Sequence, residues 1–151
     1  MKKIIQFLAI LLPWFLSALL FSSNQSYYKS LNLPFFAPPG ILFPIVWTIL
    51  YVLIAISIFK ILQTYSFKDI TSYKKALMSN YIFNQFFTFF FFTLQNTFLG
   101  FVDALATFLT SLFLYYETKE LDKKASNFLL PYVAWCLFAT ILSLFIYFMN
   151  L

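Results

Sequence analysis

Apolar and polar residues follow one another along this chain in long blocks rather than residue by residue. Each apolar block has roughly the 20 residues that a helix needs to cross the hydrocarbon core of a bilayer, and the polar connections between blocks are short. The pattern therefore predicts an all-α membrane protein, a five-transmembrane-helix bundle forming a single domain over residues 1–151. The predicted helices cover residues 4–21, 41–62, 76–94, 98–116 and 128–148, and the longest loop covers residues 22–39.

Composition agrees with lipid as the solvent for most of the chain. Hydrophobic residues make up 62% of the 151 residues and aromatic residues 24%, whereas 10% are charged. A soluble domain of this size has no interior large enough to bury so much apolar surface. The first block also has the basic start of a signal peptide. However, Pro13 and Trp14 interrupt it and no small-residue cleavage site follows, which favours a retained span.

The net charge of +5 comes from ten basic residues, all of them lysine, spread along the connections. Nucleic-acid recognition favours a clustered surface that contains arginine, so the lysines indicate membrane topology instead. Nine of them lie at the N-terminus or in the second and fourth connections, and Lys29 alone lies in the first loop. The positive-inside rule then predicts that the N-terminus is inside and that the C-terminus and the first loop are outside.

The sequence contains few of the residues that conventional catalytic sites use. The chain has one cysteine, Cys136, and no histidine, which excludes an internal disulfide and a Cys/His metal site. The predicted spans hold no paired carboxylates and no Ser/His/Asp set, and two glycines cannot form a phosphate-binding loop. Any reaction would have to draw its reactivity from a ligand, from light or from the aromatic residues.

A polar stripe runs along the third predicted helix. Asn80, Asn84 and Thr88 are spaced four residues apart and share one helix face, with Gln85 beside them and Phe87 at the edge. Amides and hydroxyls are costly in hydrocarbon unless they face another helix or a cavity. The stripe therefore indicates either hydrogen bonds between helices or the wall of a ligand site.

Two other helices carry aromatic faces. Trp47 and Tyr51 share a face of the second predicted helix, and Trp135 is one turn from the small Ala139 on the fifth. Both tryptophans lie deeper than the headgroup belt where tryptophan usually collects. A small residue beside a large flat one indicates either room for a planar guest or a plain helix contact.

One acidic residue, Asp103, lies inside a predicted span. An ionisable group in such a position is a functional candidate. Its place near the start of the fourth helix, where an acid gains from the helix dipole, favours a structural role.

Three stretches, taken in order and spacing, resemble the TspO or translocator protein family, also called tryptophan-rich sensory proteins or peripheral benzodiazepine receptors. They are residues 31–40 (LNLPFFAPPG) with 46–51 (VWTILY), residues 84–88 (NQFFT) with 91–92, and residues 130–135 (LPYVAW) with 138–140 (FAT). Phe36, Phe87, Thr88 and Ser143 stand where the family usually has Trp, Trp, Ser and Asn, and these departures resemble the Bacillus-type members.

The resemblance implies a five-helix fold, usually dimeric, in a bacterial cell membrane, with a cavity open toward the first loop. Family members bind porphyrins such as protoporphyrin IX, and benzodiazepine-type and isoquinoline ligands, so a porphyrin is expected as ligand rather than as a resident cofactor. Tyr28 and Pro38 would close the cavity. Its lining would comprise Trp47, Asn84, Gln85, Phe87, Thr88, Trp135 and Ala139.

Three functions stay open at this point. The first is a membrane receptor or sensor for tetrapyrroles, for which the first loop, rich in aromatic residues and proline, would act as a lid; the same loop also has the composition of an interfacial aromatic belt. The second is a transporter of porphyrins or other amphiphiles, which the apparent lack of broken helices and midplane charges disfavours. The third is light-dependent degradation of bound porphyrin, implied by the resemblance, with Trp47 and Trp135 as electron donors.

Overall fold

The computed structural model describes residues 1–21 and 23–151, and within these residues all regular structure is helical. The first helix is made of α1 and α2, joined by a 3-10 turn over Leu12–Phe15, and α5 is extended by a π-helical turn over Phe89–Thr93. The helices are α1 (Lys2–Leu11), α2 (Leu16–Leu20), α3 (Gln25–Ser30), α4 (Leu42–Thr64), α5 (Thr71–Thr88), α6 (Thr97–Leu121), α7 (Lys123–Asn127) and α8 (Leu130–Met149).

Four helical segments of the described chain are long and apolar enough to cross a membrane: Lys2–Leu20, Leu42–Thr64, Thr97–Leu121 and Lys123–Met149. They correspond to the first, second, fourth and fifth predicted spans. The observed α6 continues to Leu121, five residues beyond the predicted end, because the segment that follows is rich in good helix formers such as Glu117, Lys119 and Glu120.

The third predicted span, residues 76–94, corresponds to α5 and its π-helical turn. Its 18 residues and the five that follow are long enough for a span, but α5 is less apolar than the four segments above because it carries the amide stripe. Gln95, with a φ of 51°, and Asn96, whose side chain accepts a hydrogen bond from the Leu99 amide at 2.9 Å, then reverse the chain into α6. Consequently α5 and α6 pack side by side as antiparallel neighbours.

The first helix differs from the sequence-based expectation that no span is broken. Pro13 has no backbone N–H and cannot continue the α-helical ladder, so the chain passes through the 3-10 turn before α2 begins at Leu16. Below this break α1 packs on α4, and above it α2 packs on α5.

The loop predicted over residues 22–39 also contains a helix, α3. The Asn24 side chain caps it by accepting a hydrogen bond from the Tyr27 amide at 3.0 Å. The loop packs onto the bundle, because Tyr28 contacts Phe43 of α4, with 5.4 Å between ring centroids, and Phe36 contacts Phe145 of α8 at 5.3 Å. We call residues 23–40 the lid.

Gly100 allows α6 to pack closely on the π-helical turn that follows α5. A Cβ at this position would lie 2.6 Å from Cδ2 of Phe91, which is itself 2% exposed. We expect Gly100→Val to lower the free energy of unfolding in detergent by about 1–3 kcal/mol through overpacking. Thermal unfolding followed by circular dichroism measures the change, and Ala106→Val on the same helix is the control for helix propensity. Equal losses in the two variants would contradict the packing explanation.

A cavity between five helices and the lid

A cavity of about 220 Å³ lies between the first helix, α4, α5, α6 and α8, below the lid. Its lining is predominantly apolar and aromatic, with several hydroxyls and two amides. The lining residues are Phe15, Ser17, Ala18, Phe21, Ser23, Gln25, Tyr28, Phe43, Pro44, Trp47, Thr48, Tyr51, Asn84, Phe87, Thr88, Phe91, Phe92, Ala104, Thr107, Trp135, Cys136, Ala139, Leu142, Ser143 and Ile146.

Seven of the nine residues that the sequence selected for a ligand site line this one cavity. The two others, Pro38 and Gln85, lie outside the lining. Pro38 contributes its carbonyl oxygen to the lid, and Gln85 binds the first helix. The seven are Tyr28, Trp47, Asn84, Phe87, Thr88, Trp135 and Ala139.

Asn84 is the centre of a buried hydrogen-bond network. Its Oδ1 accepts from the Tyr51 hydroxyl at 3.0 Å and from Nε2 of Gln85 at 3.2 Å, and its Nδ2 donates to the Tyr132 hydroxyl at 3.2 Å. Tyr132 donates in turn to Oδ1 of Asn80 at 2.9 Å. Since Tyr51 belongs to α4 and Tyr132 to α8, the network ties both helices to α5.

The network extends to the two remaining helices of the bundle. Nδ2 of Asn80 donates to the carbonyl oxygen of Thr107 on α6 at 3.2 Å, and Oε1 of Gln85 accepts from the Ser17 amide of α2 at 2.8 Å. Gln85 also donates to the Trp14 carbonyl oxygen at 3.3 Å. The break at Pro13 frees these two backbone groups, so Gln85 replaces the hydrogen bonds that an unbroken helix would have formed.

Aromatic rings form the sides of the cavity. Trp47 lies against Tyr51, with 5.5 Å between ring centroids, and Trp135 lies against Phe43 at 6.2 Å. Phe87 and Phe91 are stacked at 5.4 Å with an interplanar angle of 10°. Within the described residues, the indole N–H of Trp135 is buried without an acceptor, and a guest with an acceptor group would relieve that cost.

Hydrogen bonds hold the lid together and attach it to the bundle. The Tyr28 hydroxyl donates to the Pro38 carbonyl oxygen at 3.0 Å, and Tyr28 is 4% exposed. Burial raises the pKa of the Tyr28 hydroxyl above its ordinary value, which keeps it protonated as a donor. The Tyr27 hydroxyl donates to the carbonyl oxygen of Gln95, so the lid is also attached to the turn between α5 and α6.

Asp103 does not have the structural explanation that the sequence favoured. It is the seventh residue of α6, beyond the first turn where the helix dipole acts. Its side chain is 3% exposed, and neither carboxylate oxygen has a hydrogen-bond partner among the described residues. Asp103 is not part of the cavity lining.

Sequence reasoning missed the contribution of the first helix and α6 to the cavity. Phe15, Ser17 and Ala18 line it because the break at Pro13 displaces α2, and Ala104 and Thr107 line it because α6 packs against both α5 and α8. Pro13 was the available signal for the first group. For the second group, the small residues spaced along α6 indicate close helix packing but not a cavity.

Comparison with known proteins places this arrangement in a family. The model of the TspO/MBR family matches residues 5–149. The chain belongs to the TspO/MBR family. Together with the membrane-spanning helices, this assignment identifies an integral membrane protein.

Three relatives illustrate the extent of the similarity. The "tryptophan-rich protein TspO" of Bacillus cereus is 39% identical over 137 residues, covering 91% of this chain and 89% of the relative. The membrane protein YtaB of Bacillus subtilis is 37% identical over 155 residues, covering both chains completely. A TspO of Archaeoglobus fulgidus is 34% identical, covering 99% of this chain and 97% of the relative. The TspO/MBR similarity therefore includes the lid and all the helices of the bundle.

Asn84 offers a test of the network in this TspO/MBR chain. We expect Asn84→Leu to lower the free energy of unfolding by about 1–3 kcal/mol, because it leaves buried partners on α4, α5 and α8 unsatisfied. Thermal unfolding in detergent measures the loss. Thr88→Val is the matched control, since Thr88 lines the same cavity on the same helix but its side chain takes part in none of these bonds. A smaller loss in Asn84→Leu than in Thr88→Val would contradict the assignment.

Proposed function

We propose that this chain is a membrane receptor or sensor for flat, largely apolar tetrapyrroles such as protoporphyrin IX, which bind in the cavity below the lid. The observation that carries the proposal is the position of Trp47 and Trp135, which line one cavity from α4 and α8. Flat aromatic walls with a few polar groups at the edges suit a planar guest. Benzodiazepine-type and isoquinoline molecules have the same shape and would bind there too.

The size of the cavity limits which ligands can bind without a movement of the protein. Its volume of about 220 Å³ is below the roughly 300–1,000 Å³ of pockets that hold drug-sized ligands. A tetrapyrrole would therefore bind only if the lid or a wall moves. The lining residues whose displacement costs the least free energy are Phe87, Phe92, Ala139 and Ser143, because none of their side chains belongs to the Asn84 network.

The tryptophans provide a test of the ligand site. We expect Trp47→Phe with Trp135→Phe to weaken the affinity for protoporphyrin IX by roughly tenfold, since two large contact surfaces are lost. Titration followed by the absorption band of the porphyrin measures the affinity. Trp14→Phe is the control, because Trp14 is buried outside the cavity lining. Unchanged affinity in the double variant would refute the site.

We further propose that the protein crosses the membrane five times, with the N-terminus inside and the C-terminus and the lid outside. Packing supports the fifth span: α5 lies along α6, and a short turn connects them, so α5 must cross with its neighbour. The amides of Asn80, Asn84 and Gln85 all bond to protein groups, which makes α5 compatible with hydrocarbon. We propose further that the protein forms a homodimer in a bacterial cell membrane.

Accessibility of Lys29→Cys to a membrane-impermeant reagent on intact cells tests the orientation.

Light-dependent degradation of the bound porphyrin is a second candidate, favoured by two indoles on the walls of the same cavity. In this reaction the excited porphyrin would be the sensitiser, dioxygen the oxidant and a tryptophan the electron donor. We expect bleaching of the porphyrin band under illumination to need both protein and oxygen, and to slow severalfold in Trp47→Phe with Trp135→Phe. Bleaching at the same rate without protein would exclude the reaction.

Transport is less well supported than binding. The first helix is broken, but the backbone groups freed by the break bond to Gln85 rather than lining a path across the bilayer. Uptake of protoporphyrin IX into sealed vesicles distinguishes the two, because a receptor gives saturable binding without accumulation.

A further inference from the structure

The two halves of the first helix, α1 and α2, pack differently with respect to α4. Along α1 the two helices pack as antiparallel neighbours: Gln63 Nε2 donates to Gln6 Oε1 at 3.1 Å, and the Phe7 and Phe59 rings lie 6.0 Å apart. At the 3-10 turn, Phe15 still lies against Tyr51 of α4, with 5.2 Å between ring centroids. Beyond the 3-10 turn, α2 packs on α5 instead.

The separation occurs where both helices carry small side chains. Because Phe7 is opposite Phe59 and Phe15 is opposite Tyr51, the antiparallel register puts Ala18 level with Thr48. Both of these residues line the cavity and both are exposed, and so is Pro44 one turn further along α4. Small exposed cavity residues that lie level with one another, on two helices that separate here, are the geometry expected where a cavity reaches the surface. We call the gap between Ala18 and Thr48 the lateral opening.

The lateral opening faces lipid rather than water. Ala18 and Thr48 lie within the segments Lys2–Leu20 and Leu42–Thr64, which are apolar enough to cross a membrane. Thr48 is six residues after Leu42, about 9 Å along the helix axis. Its hydroxyl donates to the Pro44 carbonyl oxygen at 2.8 Å, so it is satisfied within its own helix and adds no unpaired polar group to the rim.

The other route into the cavity passes the lid, and hydrogen bonds attach the lid to the bundle. Asn150, after the end of α8, accepts from the Asn32 amide at 2.9 Å and donates to the Asn32 carbonyl oxygen at 3.0 Å, and the Asn32 side chain donates to the Met149 carbonyl oxygen at 3.2 Å. This pairing, the Asn32–Asn150 clasp, attaches the lid to α8 in addition to the bond from Tyr27 to the Gln95 carbonyl oxygen. Opening the lid would break all of these contacts together.

We propose that the cavity exchanges its ligand directly with the hydrocarbon of the bilayer through the lateral opening between α2 and α4, while the lid stays clasped. This inference rests on the proposed function, because it requires a ligand that binds in the cavity. A planar apolar molecule partitions into lipid, which brings it to the opening without passing through water. The lid then serves to keep water out of the cavity rather than to admit the ligand.

Exchange kinetics test this route. The protein is reconstituted into phosphatidylcholine vesicles, and protoporphyrin IX is added in a second population of vesicles. Stopped-flow absorption then gives association and dissociation rates. We expect Ala18→Phe and Thr48→Phe each to slow both rates by roughly tenfold or more, because a larger side chain narrows the route. Ala9→Phe, exposed on α1 and outside the cavity lining, and Asn150→Ala, which removes the clasp, should leave both rates unchanged.

A faster exchange in Asn150→Ala, with unchanged rates in Ala18→Phe and Thr48→Phe, would overturn the proposal and assign the route to the lid. Since a phenylalanine could also disturb folding or fill the cavity, a reversible block provides a second measurement. Ala18→Cys is modified with an aromatic methanethiosulfonate and then released with a reductant. Blocking should slow exchange and reduction should restore it in the same sample, whereas no change on blocking would refute the opening.

The unsubstituted chain controls for reaction at the native thiol, because it keeps Cys136, which lines the cavity. The two proposals can fail separately. Absence of equilibrium binding of protoporphyrin IX to the unsubstituted chain would refute the receptor. Normal binding with exchange that is insensitive to every change at Ala18 and Thr48 would refute only the lateral route.

Discussion

The bond of the Asn84 amide to phenols on two other helices is the interaction on which the rest of the structure depends. Tyr51 on α4 and Tyr132 on α8 both bond to Asn84, and Asn80 and Gln85 carry the connections on to α6 and the first helix. Lipid is as apolar as the helix surfaces, so the hydrophobic effect does not hold helices together within a membrane. Directional bonds between satisfied polar groups set the positions of all the helices instead.

These positions also explain how a cavity persists inside the bundle. The bonded phenols and amides hold α4, α5 and α8 at fixed separations, and the space left between them is bordered by rings that cannot collapse into it. Trp47, for example, already lies against both Tyr51 and Tyr132, at 5.5 and 6.1 Å. A polar network that is fully paired costs little and specifies one arrangement, so the same residues support the fold and shape the site.

Pro13 has consequences well beyond its own turn. By breaking the first helix it frees the Trp14 carbonyl and the Ser17 amide, which Gln85 then binds. The break also directs α2 toward α5 and leaves Ala18 apart from α4. Thus one residue without a backbone N–H accounts for both a cross-helix anchor and the gap in the wall of the cavity. The lid, held by the bond from Tyr27 to Gln95 and by the Asn32–Asn150 clasp, covers the end of the cavity next to this gap.

The sequence by itself determined most of the helical segments, the long first loop and seven of the 25 cavity residues, because apolar length, proline positions and a four-residue period are local properties of the chain. The period placed Asn80, Asn84 and Thr88 on one face, but it could not tell which of them would meet a phenol and which a cavity. Only the tertiary structure decided that Gln85 binds the first helix, that Asp103 is buried without a partner among the described residues, and that Ala18 and Thr107 reach the cavity. Those outcomes depend on which helices become neighbours, and that is set by contacts between residues far apart in the chain.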